Sequence, residues 1–371
     1  MFSIYVHIPF CVQKCLYCDF LSAPAGSGQR AAYVRALGRE IDREAPLYAD
    51  RSVSTIFFGG GTPSLLSAEE IAFLGGKLRE AFRIEPDAEI SMEMNPGTVT
   101  KEKLHAMKNA GVNRLSIGLQ STSDELLLKL GRIHTFAQFE ESFHLARKQG
   151  FSNINIDIMS ALPGQSVADY EETLKRVCAF VPEHISAYSL IVEEGTPFYE
   201  RKEELLLPTE EEERRMYYLT GELLLENGYE RYEISNYARA GYACRHNLAY
   251  WGRTDYLGLG IGASSFVDGV RYADTRDWKR YLTMEHMKEQ IEPITKEDAM
   301  AEFMFLGLRR MAGVSANVFY REFGKTVESV YGKALKRLKE QRLLTMEGER
   351  IFLTDFGIDV SNYVFEQFLP E

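Results

Sequence analysis

Six short runs of β-branched and aromatic residues punctuate the first half of the chain, at positions 3–8, 53–58, 89–94, 114–118, 153–158 and 184–191. Their length and composition predict strands. Amphipathic segments separate them, with recognisable helix starts and stops. Ser67-Ala-Glu-Glu70 and Thr135-Phe-Ala-Gln138 fit the capping box, in which a hydroxyl and an acidic or amide group satisfy free backbone N–H groups. Lys148-Gln-Gly150 supplies a basic last turn and a glycine stop. Strand alternating with helix six times predicts an α/β fold with a parallel sheet, either a partial barrel or an open doubly wound sheet.

The placement of polar residues favours the barrel. Cysteines follow the first run and Gly59-Gly-Gly-Thr-Pro63 the second. Glu93 sits late in the third, Gln120 just follows the fourth and Asp157 ends the fifth. A (β/α) barrel builds its site from such a rim, whereas an open sheet concentrates it at one switch point. The expected first unit is therefore a partial (β/α)6 barrel over residues 1–197. Residues 198–290 are less periodic and rich in Tyr and Gly, and are expected to connect. From 291 to 371 the pattern becomes helical and then reads as a hairpin over 343–353, turning at Glu347-Gly-Glu349. Helices followed by a hairpin predict a smaller, winged-helix-like C-terminal domain.

Composition narrows the class. With 45% hydrophobic and 26% charged residues over 371 positions, the chain reads as an ordinary globular protein. The longest apolar runs, such as 154–162, are too short and too polar to span a bilayer. The N-terminus lacks the basic region and cleavage site of a secretory signal, so the expected compartment is the cytoplasm. A net charge of −11 argues against nucleic acid, which demands a basic footprint. The basic stretch at 333–342 is a solvated helix face in this reading.

Five cysteines are an odd number for a disulfide framework, and three of them, Cys11, Cys15 and Cys18, share one loop with C-x3-C-x2-C spacing. Thiolates at that density suit iron–sulfur clusters or zinc. The alternatives are a zinc site lacking its fourth ligand and buried thiols that act as small hydrophobes. A cubane on three thiolates leaves one iron open to another ligand, and this is the favoured reading.

Here the chain resembles the radical SAM superfamily: C-x3-C-x2-C after a first strand, with Tyr17 before the third cysteine. More specifically, Tyr5-Val-His-Ile-Pro-Phe-Cys11, Gly59-Gly-Gly-Thr-Pro63 and His246-Asn-Leu-Ala-Tyr-Trp251 resemble the anaerobic coproporphyrinogen III oxidase family over the whole length. The resemblance implies a 4Fe-4S cluster on Cys11, Cys15 and Cys18, with S-adenosyl-L-methionine (SAM) on the open iron. It also implies SAM contacts from Tyr5, Tyr17, Gly60, Gly61, Thr62, Glu93, Gln120, Arg132 and Asp157. The residues agree in part. Glycines let a backbone approach a ligand, and a glutamate deep in an apolar strand is costly unless paired. Glu93 pairs either with the SAM ammonium or with a barrel lysine or arginine.

Cys178 lies in an apolar helical stretch and reads as a buried small residue; His7 and His134 read as hydrogen-bonded core histidines. Cys244, His246, Tyr250 and Trp251 are expected in a short loop. His246 is there a candidate haem ligand, against the alternative of a core histidine.

The resembled family contains the oxidase proper and a branch of haem-binding chaperones. Asp19-Phe20 stand where the oxidase continues to a fourth cysteine, and the chain starts four residues before Tyr5 where the oxidase carries a long extension. The H-N-x-x-Y-W signature belongs to the chaperone branch. The expected function is therefore a haem chaperone with 4Fe-4S cluster, SAM and haem as cofactors, without coproporphyrinogen III oxidase activity. The alternative is a radical SAM enzyme: an oxygen-independent coproporphyrinogen III dehydrogenase or another tetrapyrrole-modifying enzyme. Expected partners are haem and a haem-acceptor protein, with no nucleic acid and at most transient membrane-surface contact.

Overall fold

The computed structural model describes residues 2–370. The six predicted strands form in order: β1 (Phe2–Ile8), β2 (Ser52–Gly60), β3 (Arg83–Met94), β4 (Arg114–Gln120), β5 (Ile154–Ser160) and β6 (His184–Ser189). Each pairs in parallel with the next. The third begins earlier than its periodicity predicts, because Arg83 and Ile84 pair with Ser52 and Val53 before an irregularity resets the register to Thr55 opposite Glu89. Both capping boxes form. The Ser67 N–H donates to Glu70 at 2.8 Å and the Thr135 N–H to Gln138 at 3.0 Å, opening helices Ala68–Ala81 and Phe136–Lys148. Gly150 stops the second with φ of 82°.

Alternation along these strands sorts the chemistry. Ile4, Val6, Ile8, Ile56, Phe58, Ile90, Met92, Leu115, Ile117, Ile156 and Ile158 are buried in one core with helix residues such as Leu37, Leu74 and Leu104. The intervening positions face the concave side and carry polar or aromatic groups: Tyr5, Phe57, Glu89, Glu93, Arg114, Ser116, Asn155 and Asp157. A parallel sheet normally buries apolar residues on both faces. Here the second face is the wall of a polar lumen, so the arrangement is a partial barrel. The sheet is open, with no pairing between its edges among the described residues.

Residues 198–290, whose sequence is less periodic, extend that sheet at both ends, the last strand running on to Pro293. After helix Glu210–Glu226, β7 (Glu230–Arg231) and β8 (Asn236–Ala238) add antiparallel strands beyond β6. Then β9 (Tyr256–Leu259) pairs in parallel with β1, and β10 (Ser264–Val267), β11 (Val270–Asp274) and β12 (Lys288–Pro293) continue antiparallel. The result is one 12-stranded sheet.

The C-terminal part has a core of its own, including Phe319, Leu335, Leu338, Ile351 and Phe368. Helices Lys296–Gly307, Ala316–Phe323 and Val327–Glu340 precede the hairpin of β14 (Leu344–Glu347) and β15 (Arg350–Leu353). Together with the short β13 (Val314–Ser315) this is a winged-helix-like arrangement. Gly348 turns the hairpin with φ of 57°. Charged groups tie this part to the barrel, where Glu302 accepts from Arg253 at 3.1 Å and Arg271 at 2.7 Å. Among the described residues no helix is long and apolar enough to cross a membrane.

Candidate functional site

The loop after β1 brings the three cysteines to the C-terminal rim of the strands, where a barrel places its chemistry. Its backbone is pinned along its length. The Ala23 N–H donates to Pro9 O at 3.0 Å, the Cys11 N–H to Ala23 O at 3.2 Å and the Leu16 N–H to Leu130 O at 3.0 Å. Cys11, Cys15 and Cys18 are free thiols of intermediate exposure. Among the described residues no three His, Cys, Asp or Glu side chains converge on a single-ion centre. Three separated thiols suit a polynuclear cluster, whose thiolates sit on different irons, better than a zinc ion. Tyr17 packs beside this loop against a small apolar cluster that includes Leu126, Leu130 and Phe198.

The Gly59-Gly-Gly-Thr-Pro63 turn lies directly against the cysteine loop. The Gly61 N–H donates to Ile8 O at 2.8 Å and the Thr62 N–H to Phe10 O at 2.7 Å. The structure supplies its own reason for the glycines. A Cβ on Gly61 would stand 2.6 Å from the Phe10 carbonyl oxygen, and one on Gly60, whose φ is 108°, 2.4 Å from the His7 ring. Beyond any approach to a ligand, close packing against the chain's own first strand already requires glycine at these positions.

Three side chains connect this turn to the loop. Asn95 donates from Nδ2 to Thr62 Oγ1 at 2.9 Å, and its Oδ1 accepts from Arg132 Nη2 at 2.9 Å. Arg132 Nη2 also donates to Gly118 O, and its Nη1 reaches Cys15 Sγ at 3.7 Å. Thr62 Oγ1 lies 3.6 Å from Cys11 Sγ. A cleft lined by Cys15, Thr62, Asn95, Arg132 and His134 opens between them.

Glu93 lies deeper. Its Oε2 accepts the Gly60 N–H at 3.1 Å, and among the described residues no lysine or arginine forms an ion pair with it. Burial first, and then the negative charge of Asp157, push its carboxyl up to about 8, against the Gly60 hydrogen bond and the more distant Arg114. The Tyr5 phenol is likewise held above its ordinary value, by burial and then by Glu93. Asp157 accepts from Asn155 at 2.7 Å and Ser116 at 3.1 Å; burial outweighs these bonds and raises its pKa. Gln120 closes β4 with φ of 72°, a strained conformation for a residue with a side chain. The structure thus brings Tyr5, Gly60, Gly61, Thr62, Glu93, Arg132 and Asp157 to one end of the lumen. A carboxylate without a cation, three free thiols and an arginine aimed at one of them suit a ligand that carries an ammonium group beside a cluster.

His7 and His134 are hydrogen-bonded within the fold, through Nε2 to Leu21 O at 2.9 Å and to Leu119 O at 3.3 Å. Cys178 is buried in helix Val167–Ala179.

The other end of the lumen is closed by His246 and its neighbours, and here the sequence expectation needs correction. Residues Arg245–Trp251 form a short helix, not a loop. The buried Glu89 carboxylate accepts the N–H groups of Arg245 and His246, each at 3.1 Å, and the Cys244 thiol at 3.5 Å. Three donors at the start of one segment fix it as a helix. His246 is 1% exposed. Its Nδ1 lies 2.8 Å from Thr55 Oγ1, its ring stacks on Phe57, and its Nε2 has no partner among the described residues. Burial and then Arg114 lower its pKa to about 3, so the imidazole is neutral. Trp251 faces the C-terminal part, with the Arg309 guanidinium 4.4 Å from its ring.

Sequence reasoning passed over Asn95, Glu89 and Arg114. A signal for them existed: Glu89-x-Ser91-x-Glu93-x-Asn95 and Arg114-x-Ser116 alternate polar residues along strands otherwise made of Ile, Met and Leu.

Comparison with known proteins agrees with this geometry. Residues 5–177 match the radical SAM superfamily and residues 294–360 the HemN C-terminal domain. The first match implies a 4Fe-4S cluster and SAM. The chain is similar to the heme chaperone HemW of Bacillus subtilis, with 38% identity across all of both chains. It is 36% identical to that of Escherichia coli, over 100% of this chain and 98% of the relative. Among solved structures, the coproporphyrinogen III oxidase HemN of Escherichia coli, a radical SAM enzyme, superposes with a TM-score of 0.87. That match is 25% identical and covers 99% of this chain and 89% of the other. The chain belongs to the HemW family of radical SAM proteins.

Proposed function

We propose that this protein is a haem chaperone, which binds haem and delivers it to an acceptor protein. A 4Fe-4S cluster on Cys11, Cys15 and Cys18 and a SAM molecule accompany that role. The observation that carries the reading is full-length identity of 36–38% to relatives named as haem chaperones, against 25% to the oxidase. Within the reading, Tyr5 contacts the methionyl end of SAM, Glu93 and the turn of Gly60, Gly61 and Thr62 meet its ammonium group, and Arg132, Gln120 and Asp157 complete the pocket. When bound, a reduced cluster supplies one electron to SAM. His246 is the proposed haem ligand through its unpaired Nε2. Its burial means that helix Arg245–Trp251 must move before iron reaches it.

A second reading, a radical SAM enzyme acting on a tetrapyrrole, is favoured by the match to the oxidase fold. One experiment separates them. Anaerobically reconstituted protein is titrated with haem and assayed with SAM, reductant and coproporphyrinogen III. The chaperone reading expects a Soret band and no protoporphyrinogen IX; turnover, or no haem spectrum, overturns it.

A further inference from the structure

The cysteine loop and the glycine turn meet through one side chain that neither motif contains. Asn95 stands at the end of β3, with its amide divided between Thr62 and Arg132, at 2.9 Å on each side. Both residues it holds reach a sulfur of the cysteine loop, Thr62 at Cys11 and Arg132 at Cys15. The asparagine is itself fixed, since its N–H donates to Ser64 Oγ at 3.3 Å and its carbonyl accepts the Thr98 hydroxyl at 2.6 Å. No other geometry of this amide satisfies both neighbours: Arg132 only donates, so it requires the amide oxygen, and the nitrogen is left for the threonine oxygen.

We propose that Asn95 is a positioning residue that sets the reduction potential of the cluster by aiming the Arg132 guanidinium at the Cys15 sulfur. The inference rests on the reading of Cys11, Cys15 and Cys18 as cluster ligands. A cationic donor near a thiolate stabilises the more negative, reduced cluster and raises its potential. Arg132 Nε is buried without a partner, so the guanidinium is held only through its two Nη atoms. Once the Asn95 oxygen is removed, Gly118 O and the sulfur remain as its partners, and one contact fewer fixes the direction of the fork.

The test is a redox titration followed by electron paramagnetic resonance on reconstituted protein, with iron content measured in parallel. Asn95→Ala is expected to keep its iron and to show a several-fold lower ratio of reduced to oxidised cluster at a fixed potential near the wild-type midpoint. For a one-electron couple each tenfold change in that ratio is 59 mV. In an Arg132→Gln background the same substitution is expected to change nothing further, because contacts that act through one another are not additive. An unchanged midpoint in Asn95→Ala with full iron, or a drop that persists without Arg132, overturns the proposal. Should Asn95→Ala lose its cluster, Asn95→Asp keeps an oxygen for Arg132. The shift on adding Arg132→Gln to it must then match the shift in wild type, and loss of iron from Asn95→Asp as well makes the role structural and refutes positioning. Iron absent from reconstituted wild type is a different failure, that of the cluster reading itself.

Discussion

The carboxylate of Glu89 accepts the backbone N–H of His246 at 3.1 Å, joining the third barrel strand to the helix that closes the lumen. Glu89 and Glu93 lie on the same face of β3, so one strand carries the carboxylate at the SAM end and the cap of the His246 helix at the other. Buried charge at a helix N-terminus is stabilising because its donors are fixed and poorly solvated. Removing it leaves those donors unpaired, with the buried Arg114 nearby.

Glu89→Ala is therefore expected to destabilise the protein by about 3 kcal/mol, the cost of two charge-assisted hydrogen bonds after partial relaxation. Glu89→Gln, which keeps one acceptor oxygen, should lose less. Denaturant unfolding of both variants checks this, and a loss under half a kilocalorie per mole in Glu89→Ala would show that the carboxylate does not anchor the helix.

The cluster assignment predicts a sharp division among the five cysteines. Replacing Cys11, Cys15 or Cys18 by Ala should abolish the reconstituted iron–sulfur absorbance. Cys178→Ala and Cys244→Ala should retain it, because both thiols are buried away from the loop. Absorbance lost in Cys178→Ala with an intact circular dichroism spectrum would disprove the ligand set.

Glu93 makes a prediction whose sign follows from its environment. Its carboxyl titrates near 8 instead of 4.5, so without SAM it holds a proton at neutral pH that the unfolded chain has lost. Between those values the native state binds more protons, and stability falls as pH rises. Glu93→Gln should thus raise the melting temperature of SAM-free protein at pH 8–9 more than at pH 5. The same variant should weaken SAM binding by about one to two decades, the worth of one charge-assisted hydrogen bond. Because a bound ammonium favours the ionised form, SAM binding near pH 7 should release a proton. Calorimetry in two buffers of different ionisation enthalpy reads that directly; identical enthalpies would remove Glu93 from the ammonium site.

How far the sequence carried these conclusions depended on element length and on what each element pairs with. The strands β1 to β6 are long enough to show their composition, and both capping boxes act within four residues, so local chemistry sufficed. The extensions were not legible for the opposite reason. Residues Glu230–Arg231 and Tyr256–Leu259 are too short to display a period, and the second pairs with β1 at the other end of the chain. The segment from His246 to Trp251 reads as a loop in sequence because its helix is fixed by a carboxylate more than 150 positions away. Asn95 was likewise silent: its meaning lies in Thr62 and Arg132, which only the folded barrel brings to it.

The last prediction concerns haem. His246 presents a neutral imidazole with a free Nε2, the atom a haem iron takes, but the ring is sealed between Thr55, Phe57 and Tyr250. Ligation through it therefore requires an open state that the closed helix holds at low population. Two consequences follow. Haem association monitored at the Soret band should approach a limiting rate as haem concentration rises, set by helix opening. His246→Ala should weaken binding by about tenfold or more, about 1.4 kcal/mol, and alter the band. Protein stripped of its cluster by Cys18→Ala should still bind haem, since the loop thiols lie at the opposite end of the lumen. An association rate that stays linear in haem, together with an unchanged spectrum in His246→Ala, would place the iron on another ligand and leave His246 as the buried wedge its packing describes.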